Sequence, residues 1–195
     1  MTSVLAGGRI ASRNIPRLVV SLATAASLMV LQAHRLDEYL QTTFITLWPD
    51  RLELDLVLNP GVAVIPQVLP ELDQNADGSI SPPELDRYSA RVLQSIAVEL
   101  DGTSLPLKMA GREMSELELI RGGQGLIRIQ LTAAFPRLPA GAHMLAYRNG
   151  HLTNLSVYLV NATQPQSHDI RITGQHRDPD QRSTQITFSC LEATP

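Results

Sequence analysis

The chain has 195 residues, of which 44% are hydrophobic and 18% charged, with a formal charge of −3 and one cysteine. This composition is typical of a globular domain and argues against a disordered chain or a disulfide-based scaffold. Aromatic residues make up only 4% of the chain, so stacking platforms for bases are scarce and we expect no nucleic-acid partner.

The first 33 residues have the pattern of a secretory signal peptide. A basic stretch without acids, containing Arg9, Arg13 and Arg17, precedes an apolar run from Leu18 to Leu31, and small Ala33 follows. An apolar run of about 14 residues is too short to cross a bilayer of about 30 Å as a helix, and no later segment provides a span. We therefore predict cleavage after Ala33, with an uncleaved N-terminal anchor as the alternative.

The predicted mature chain, residues 34–195, is a single exported domain that is periplasmic or secreted. Cleavage removes three arginines and no acid, so the formal charge falls from −3 to −6. An acidic exported protein is suited to binding cations and unsuited to polyanionic partners.

Alternation of apolar and polar residues with a period of two dominates the mature chain. Leu52, Leu54, Leu56 and Leu58 form the clearest series, which predicts a half-buried antiparallel strand. Turn residues separate the strands that we predict at about 38–47, 52–58, 96–100, 105–109, 115–120, 127–131, 142–148, 154–161, 169–174 and 184–190. Many short strands at this spacing predict a mainly β protein, an immunoglobulin-like β-sandwich without the Cys pair of true immunoglobulin domains. The single Cys190 falls on the apolar face of the last strand, where we expect a buried, inert thiol.

One segment, residues 61–97, interrupts the β pattern with helical spacing. Pro82 and Pro83 suit the first positions of a helix, and an apolar stripe follows at intervals of three and four residues: Leu85, Tyr88, Val92, Leu93 and Ile96. The preceding residues 62–72 are apolar but contain Pro66 and Pro70, so we predict a shorter, weaker helix there. The sequence thus predicts one β-domain with a helix-loop-helix insertion.

The loop between the two predicted helices carries oxygen donors at regular intervals over twelve residues. A calcium loop needs side-chain oxygens at positions 1, 3, 5, 9 and 12, a backbone carbonyl at 7 and a glycine at 6. Gly78 stands at position 6 and aliphatic Ile80 at position 8. The predicted metal ligands are the side chains of Asp73, Asn75, Asp77, Ser81 and Glu84 and the carbonyl of Ser79. Ser81 binds directly or through water, and Glu84 supplies both carboxylate oxygens.

These residues resemble the loop of the EF-hand family, and the resemblance extends over about residues 62–97. It implies a bound Ca²⁺ ion between two helices. No second loop repeats the pattern, so the paired arrangement of calmodulin-type switches is absent from the sequence. The alternative interpretation is a polar turn that caps the helix at Ser81, but this leaves the spacing of Asp73, Asn75, Asp77 and Glu84 unexplained.

Two stretches of the β part, His34–Gln41 and Tyr147–Ala162, resemble uncharacterised exported bacterial proteins. Some of these are similar to the periplasmic part of nickel/cobalt permeases. The permease helices are missing here, so the resemblance implies no transport activity.

No enzymatic motif is present in the sequence, and we predict that the protein is not an enzyme. Glu116 and Glu118 would share one face of a predicted strand, which is more typical of a solvated face than of a catalytic pair. We therefore interpret the sequence as that of an exported calcium-binding module with an unknown protein partner.

The alternative function is an accessory role in transition-metal (Cu or Ni/Co) handling. After cleavage, the amine and imidazole of His34 could hold Cu²⁺ jointly. A third nitrogen would come from one of His143, His151, His168 and His176.

Overall fold

The computed structural model describes residues 37–165 and 167–191. The predicted signal peptide and His34 lie outside these residues. The described strands are β1 (Tyr39–Leu47), β2 (Arg51–Pro60), β3 (Ile96–Leu100), β4 (Thr103–Ser104), β5 (Lys108–Met114), β6 (Ile127–Ala134), β7 (Gly141–Asn149), β8 (Ser156–Ala162), β9 (Ile170–Arg177) and β10 (Ser183–Cys190). The helices are α1 (Ile65–Leu72), α2 (Pro82–Gln94) and α3 (Leu117–Arg121), and a short 3-10 turn spans Val62–Val64.

The strands form two five-stranded sheets. The first has the order β5-β6-β2-β1-β8 and the second the order β4-β3-β7-β10-β9. Neighbouring strands are antiparallel except for β1 and β8, which run parallel. The prediction of a mainly β protein is therefore confirmed.

The two sheets pack against a shared core, as in a β-sandwich. Leu52, Leu54, Leu56 and Leu58 of β2 are all at most 1% exposed, because their period-two spacing turns them to one face of the first sheet. Buried side chains of the second sheet, including Ile186, Phe188 and Cys190 of β10, belong to the same cluster. The expected burial of Cys190, which is 5% exposed, is confirmed.

The strand predicted at 115–120 is wrong, because this segment contains α3 instead. The N–H groups of Leu119 and Ile120 both donate to the carbonyl of Glu116, so the chain turns where an extended strand was expected. Ile120 is fully buried. Gly125 then passes so close to this helix that a Cβ atom would lie 2.6 Å from the Ile120 nitrogen.

The strand predicted at 105–109 is also misplaced. Residues 105–107 are irregular, and β5 begins at Lys108 and continues to Met114. Glu116 precedes α3 and Glu118 lies within it, so the two carboxylates do not share a strand face.

The helical segment between β2 and β3 is fixed to the core by both helices. The prolines of α1 restrict it to eight residues: Pro66 stands at its start and Pro70 near its end, where the missing N–H removes an internal hydrogen bond. Val68 of α1 and Tyr88 and Val92 of α2 are fully buried. In the described part of the chain, no helix has the length and apolarity needed to cross a membrane.

Candidate metal centre

Five of the six predicted ligand residues lie between α1 and α2, and the sixth, Glu84, lies in the first turn of α2. Asp73 directly follows α1, and Glu84 is the third residue of α2. These two residues are 8% and 1% exposed, whereas Asn75, Asp77 and Ser79 are exposed to solvent. The first and last predicted ligands therefore form a buried base beneath an exposed loop.

The backbone of the loop makes a sharp turn at Gly78. This residue has a φ of +84°, a left-handed conformation that glycine adopts at no steric cost. Ile80, two residues later, packs against the hydrophobic core. The loop thus turns at the position where the predicted pattern requires glycine. Ile80 anchors the loop to the core.

The carboxylates of Asp73 and Asp77 accept hydrogen bonds from the loop itself. Asp73 accepts from the N–H of Asp77 at 3.1 Å and from that of Gly78 at 2.9 Å. Asp77 accepts from the N–H and the hydroxyl of Ser79 at 2.9 and 2.8 Å. The Ser79 hydroxyl contributes most to a lowered pKa of Asp77, which keeps this carboxylate ionised.

The carboxylate of Glu84 joins both ends of the loop. One oxygen accepts from the hydroxyl and the N–H of Ser81 at 2.6 and 2.9 Å, which completes a capping box at the start of α2. The other oxygen accepts from the N–H groups of Gln74 and Asn75 at 3.0 and 3.3 Å. The Ser81 hydroxyl is the main cause of a lowered pKa of Glu84.

The three carboxylates of the loop accept hydrogen bonds from N–H and hydroxyl groups of the loop itself. Within residues 37–165 and 167–191, no three His, Cys, Asp or Glu side chains come together as a group that could hold a metal ion. The other predicted calcium ligands are neutral oxygens: the side-chain oxygen of Asn75, the Ser81 hydroxyl and the Ser79 carbonyl. The Asn75 oxygen accepts a hydrogen bond from the N–H of Asp77 at 3.0 Å. The chemistry of the complete donor set, three carboxylates and three neutral oxygens, fits a hard divalent cation.

Two arginines of α2 connect this helix to the end of α1, and the sequence interpretation did not single them out. Arg91 forms an ion pair with Glu71 at 3.1 Å. Arg87 donates to the side-chain oxygen of Gln74 at 2.8 Å. These partners are 20 and 13 residues apart in the chain, so only the tertiary structure reveals the two contacts.

The four histidines of the copper alternative lie in different surroundings. The ring nitrogens of His143 face Asp101 and the carbonyl of Pro139. His151 is only 7% exposed, and Nε2 of its ring lies 3.1 Å from the Tyr88 hydroxyl. His168 and His176 are exposed.

No protein-family model matches the chain, and none of the curated proteins matches it.

Proposed function

We propose that this protein is an exported calcium-binding module in which an EF-hand-like loop, residues 73–84, binds one Ca²⁺ ion and stabilises the β-domain. The observation that carries the proposal is the pair of buried carboxylates, Asp73 and Glu84, at the first and last positions of a loop that turns at Gly78. Their side chains come from opposite ends of the loop and lie at its base.

Buried carboxylates need compensation for the hydration that they lose. Among the described residues, neither Asp73 nor Glu84 forms an ion pair with a basic side chain. Their partners are N–H groups of the loop and the Ser81 hydroxyl. A divalent cation would supply the positive charge that these neutral donors lack.

The proposed ligands are the side chains of Asp73, Asn75 and Asp77, the carbonyl of Ser79, Ser81 directly or through water, and both oxygens of Glu84. Calcium prefers six to eight oxygen ligands of this kind, whereas transition metals prefer nitrogen and sulfur. A bound calcium ion would supply a fixed positive charge to the carboxylates of Asp73, Asp77 and Glu84.

A stabilising role is supported over a switching role by the packing of the two helices. Val68 and Leu72 of α1 and Tyr88 and Val92 of α2 are fully buried. Separation of the helices, as in calcium sensors, would expose these side chains to water. Because this exposure would cost free energy, we infer that the calcium loop holds the helical segment, residues 61–97, against the core.

The proposed architecture is an immunoglobulin-like sandwich that serves as a binding or interaction module rather than an enzyme, with a protein partner of unknown identity. Predominantly antiparallel sheets around one core support it. For the alternative role in transition-metal handling, the described residues provide no observation that favours it over calcium.

The proposal is tested by calorimetric titration of calcium into the wild type, Glu84→Gln and Asn75→Ala. Glu84→Gln should weaken binding more than Asn75→Ala does, because Glu84 supplies two charged contacts and Asn75 one neutral oxygen. Equal or reversed losses would mean that Glu84 does not close the site, and absence of binding by the wild type would refute the function.

A further inference from the structure

Helix α2 presents two buried polar side chains on the same face. Glu84 and Tyr88 are four residues apart, which places them one above the other along the helix. They are 1% and 0% exposed. Any rotation of α2 about its axis would therefore displace both side chains together.

The hydroxyl of Tyr88 is held from two sides. It forms a hydrogen bond with the hydroxyl of Tyr39 on β1 and another, of 3.1 Å, with Nε2 of His151. The ring of His151 also meets the Tyr88 ring edge to face, with centroids 5.5 Å apart. Residues of β1 and of the loop after β7 thus both form hydrogen bonds with Tyr88 of α2.

The position of His151 is itself fixed by hydrogen bonds to its backbone. Its carbonyl accepts from the side-chain amide of Gln41 at 3.0 Å and from the Tyr158 hydroxyl at 2.8 Å. Its N–H donates to the side-chain oxygen of Asn149 at 2.9 Å, and Asn149 in turn donates to Gln41. Gln41, Asn149 and Tyr158 come from β1, β7 and β8, so three strands hold the partner of Tyr88 in place.

We propose that Tyr88 is a positioning residue of the calcium loop, which acts by holding α2 in the rotation that presents Glu84 to the loop. This inference rests on the calcium-binding function proposed above. Buried hydrogen bonds are directional, and the two that the Tyr88 hydroxyl makes restrict α2 at one turn from Glu84. The carboxylate of Glu84 is the only predicted calcium ligand within the helix, so its placement depends on how the helix is held.

The coupling is reciprocal, as for any two linked equilibria. If Tyr88 orients Glu84 for calcium, then calcium bound at Glu84 also restrains Tyr88 and its contact with His151. The imidazole ring of His151 should therefore report calcium binding, although it contributes no ligand.

The test compares Tyr88→Phe with Tyr147→Phe. Each substitution deletes one buried tyrosine hydroxyl: that of Tyr88 and that of Tyr147, which bonds to Thr43 at 2.8 Å within the β-core. Calcium affinity is measured by calorimetry, and the ring protons of His151 are followed by NMR during calcium titration. Tyr88→Phe removes both hydrogen bonds of this hydroxyl. We expect it to weaken calcium binding roughly fivefold, the lower end of the range for coupled sites, and to abolish the calcium-dependent shift of the His151 signals. Tyr147→Phe should bind calcium as the wild type does and keep this shift.

Three outcomes overturn the inference. If the wild type binds calcium and Tyr88→Phe binds it equally well, Tyr88 does not position the ligand. If both variants lose affinity to the same extent, the effect is general destabilisation. If the wild type binds no calcium, the proposed function fails first and this inference fails with it.

Discussion

The imidazole of His143 and the carboxylate of Asp101 meet at 2.7 Å, from Nδ1 to Oδ2, although 42 residues separate them along the chain. Nε2 of the same ring faces the carbonyl oxygen of Pro139 at 3.0 Å. Both ring nitrogens therefore face acceptors, and the doubly protonated, charged ring satisfies both. Burial of the ring lowers its pKa, but the bonds to Asp101 and Pro139 outweigh burial, so the pKa of His143 is raised.

This contact should stabilise the fold more at acidic than at alkaline pH. Because the folded-state pKa is above the unfolded value of about 6.5, its contribution is complete below that pH and is lost as the pH rises through the folded-state pKa. We expect His143→Gln to lower the free energy of unfolding more at pH 6 than at pH 9, with a difference of up to about 1 kcal/mol. Urea unfolding at both pH values measures it, with exposed His176→Gln as the control. An equal loss at pH 6 and pH 9 would exclude a charged ring.

His151 should change the stability of the fold with pH in the opposite direction to His143. Burial, followed by the charge of Arg91, lowers the pKa of His151 to about 4. Between the folded-state pKa of about 4 and the unfolded-state pKa of about 6.5, His151 binds a proton more readily in the unfolded chain than in the folded protein. The stability that the neutral ring gives the fold near neutral pH is therefore lost as the pH falls. From pH 7 to 4.5 the wild type should lose about 2 kcal/mol more free energy of unfolding than His151→Gln. Urea unfolding along this range, with His168→Gln as the exposed control, measures the difference. Parallel pH curves for wild type and His151→Gln would contradict it.

Gly78 of the proposed calcium loop and Gly102, outside it, allow a controlled test of the loop's sharp turn. Gly78 and Gly102 have φ values of +84° and +78°, and a Cβ atom at either position would meet nothing within 4 Å. Alanine at each site should therefore cost a similar strain, about 1 kcal/mol of unfolding free energy. Only Gly78→Ala should also weaken calcium binding, because only that strain falls within residues 73–84. Thermal melts and calcium titration of both variants check this, and weakened binding in Gly102→Ala would contradict it.

Calcium should raise the melting temperature without exposing apolar surface. We expect a dissociation constant of roughly 10⁻⁵ to 10⁻³ M for a single loop with three carboxylates in a protein that we propose is exported. At about a hundred times that concentration, calcium should add about 2.7 kcal/mol to the free energy of unfolding. The measurement is a thermal melt with calcium and with chelator, paired with binding of an apolar dye. An unchanged melt would remove the stabilising role, and a strong calcium-dependent dye signal would indicate a sensor.

Several elements were predictable because their signal is local. The alternation of Leu52 to Leu58 marks β2, and the prolines at 82 and 83 mark the first residues of α2. The candidate ligands lie within twelve consecutive residues, so their spacing is readable without any tertiary contact. In the structure, five of them lie between α1 and α2 and Glu84 lies in the first turn of α2.

Other elements were not predictable, because short segments allow more than one periodicity. Residues 115–120 alternate as a strand does, but Leu117 and Ile120 also have helical spacing. The outcome is α3, in which Ile120 enters the core and Gly125 closes over the helix. That close approach depends on a missing side chain five residues beyond the buried one, which a pattern of hydrophobic residues does not register.

The sequence by itself determined the spacing of the proposed calcium ligands, since Asp73, Asp77 and Glu84 lie within twelve consecutive residues. Only the tertiary structure decided which of these carboxylates are buried and how α2 is held above them. Tyr88 finds Tyr39 and His151 across 49 and 63 residues of chain, and those contacts exist only once the strands and helices have packed. The physical reason is that spacing along the chain is a local property, whereas burial, and the pKa shifts that follow from it, depend on everything that surrounds a group.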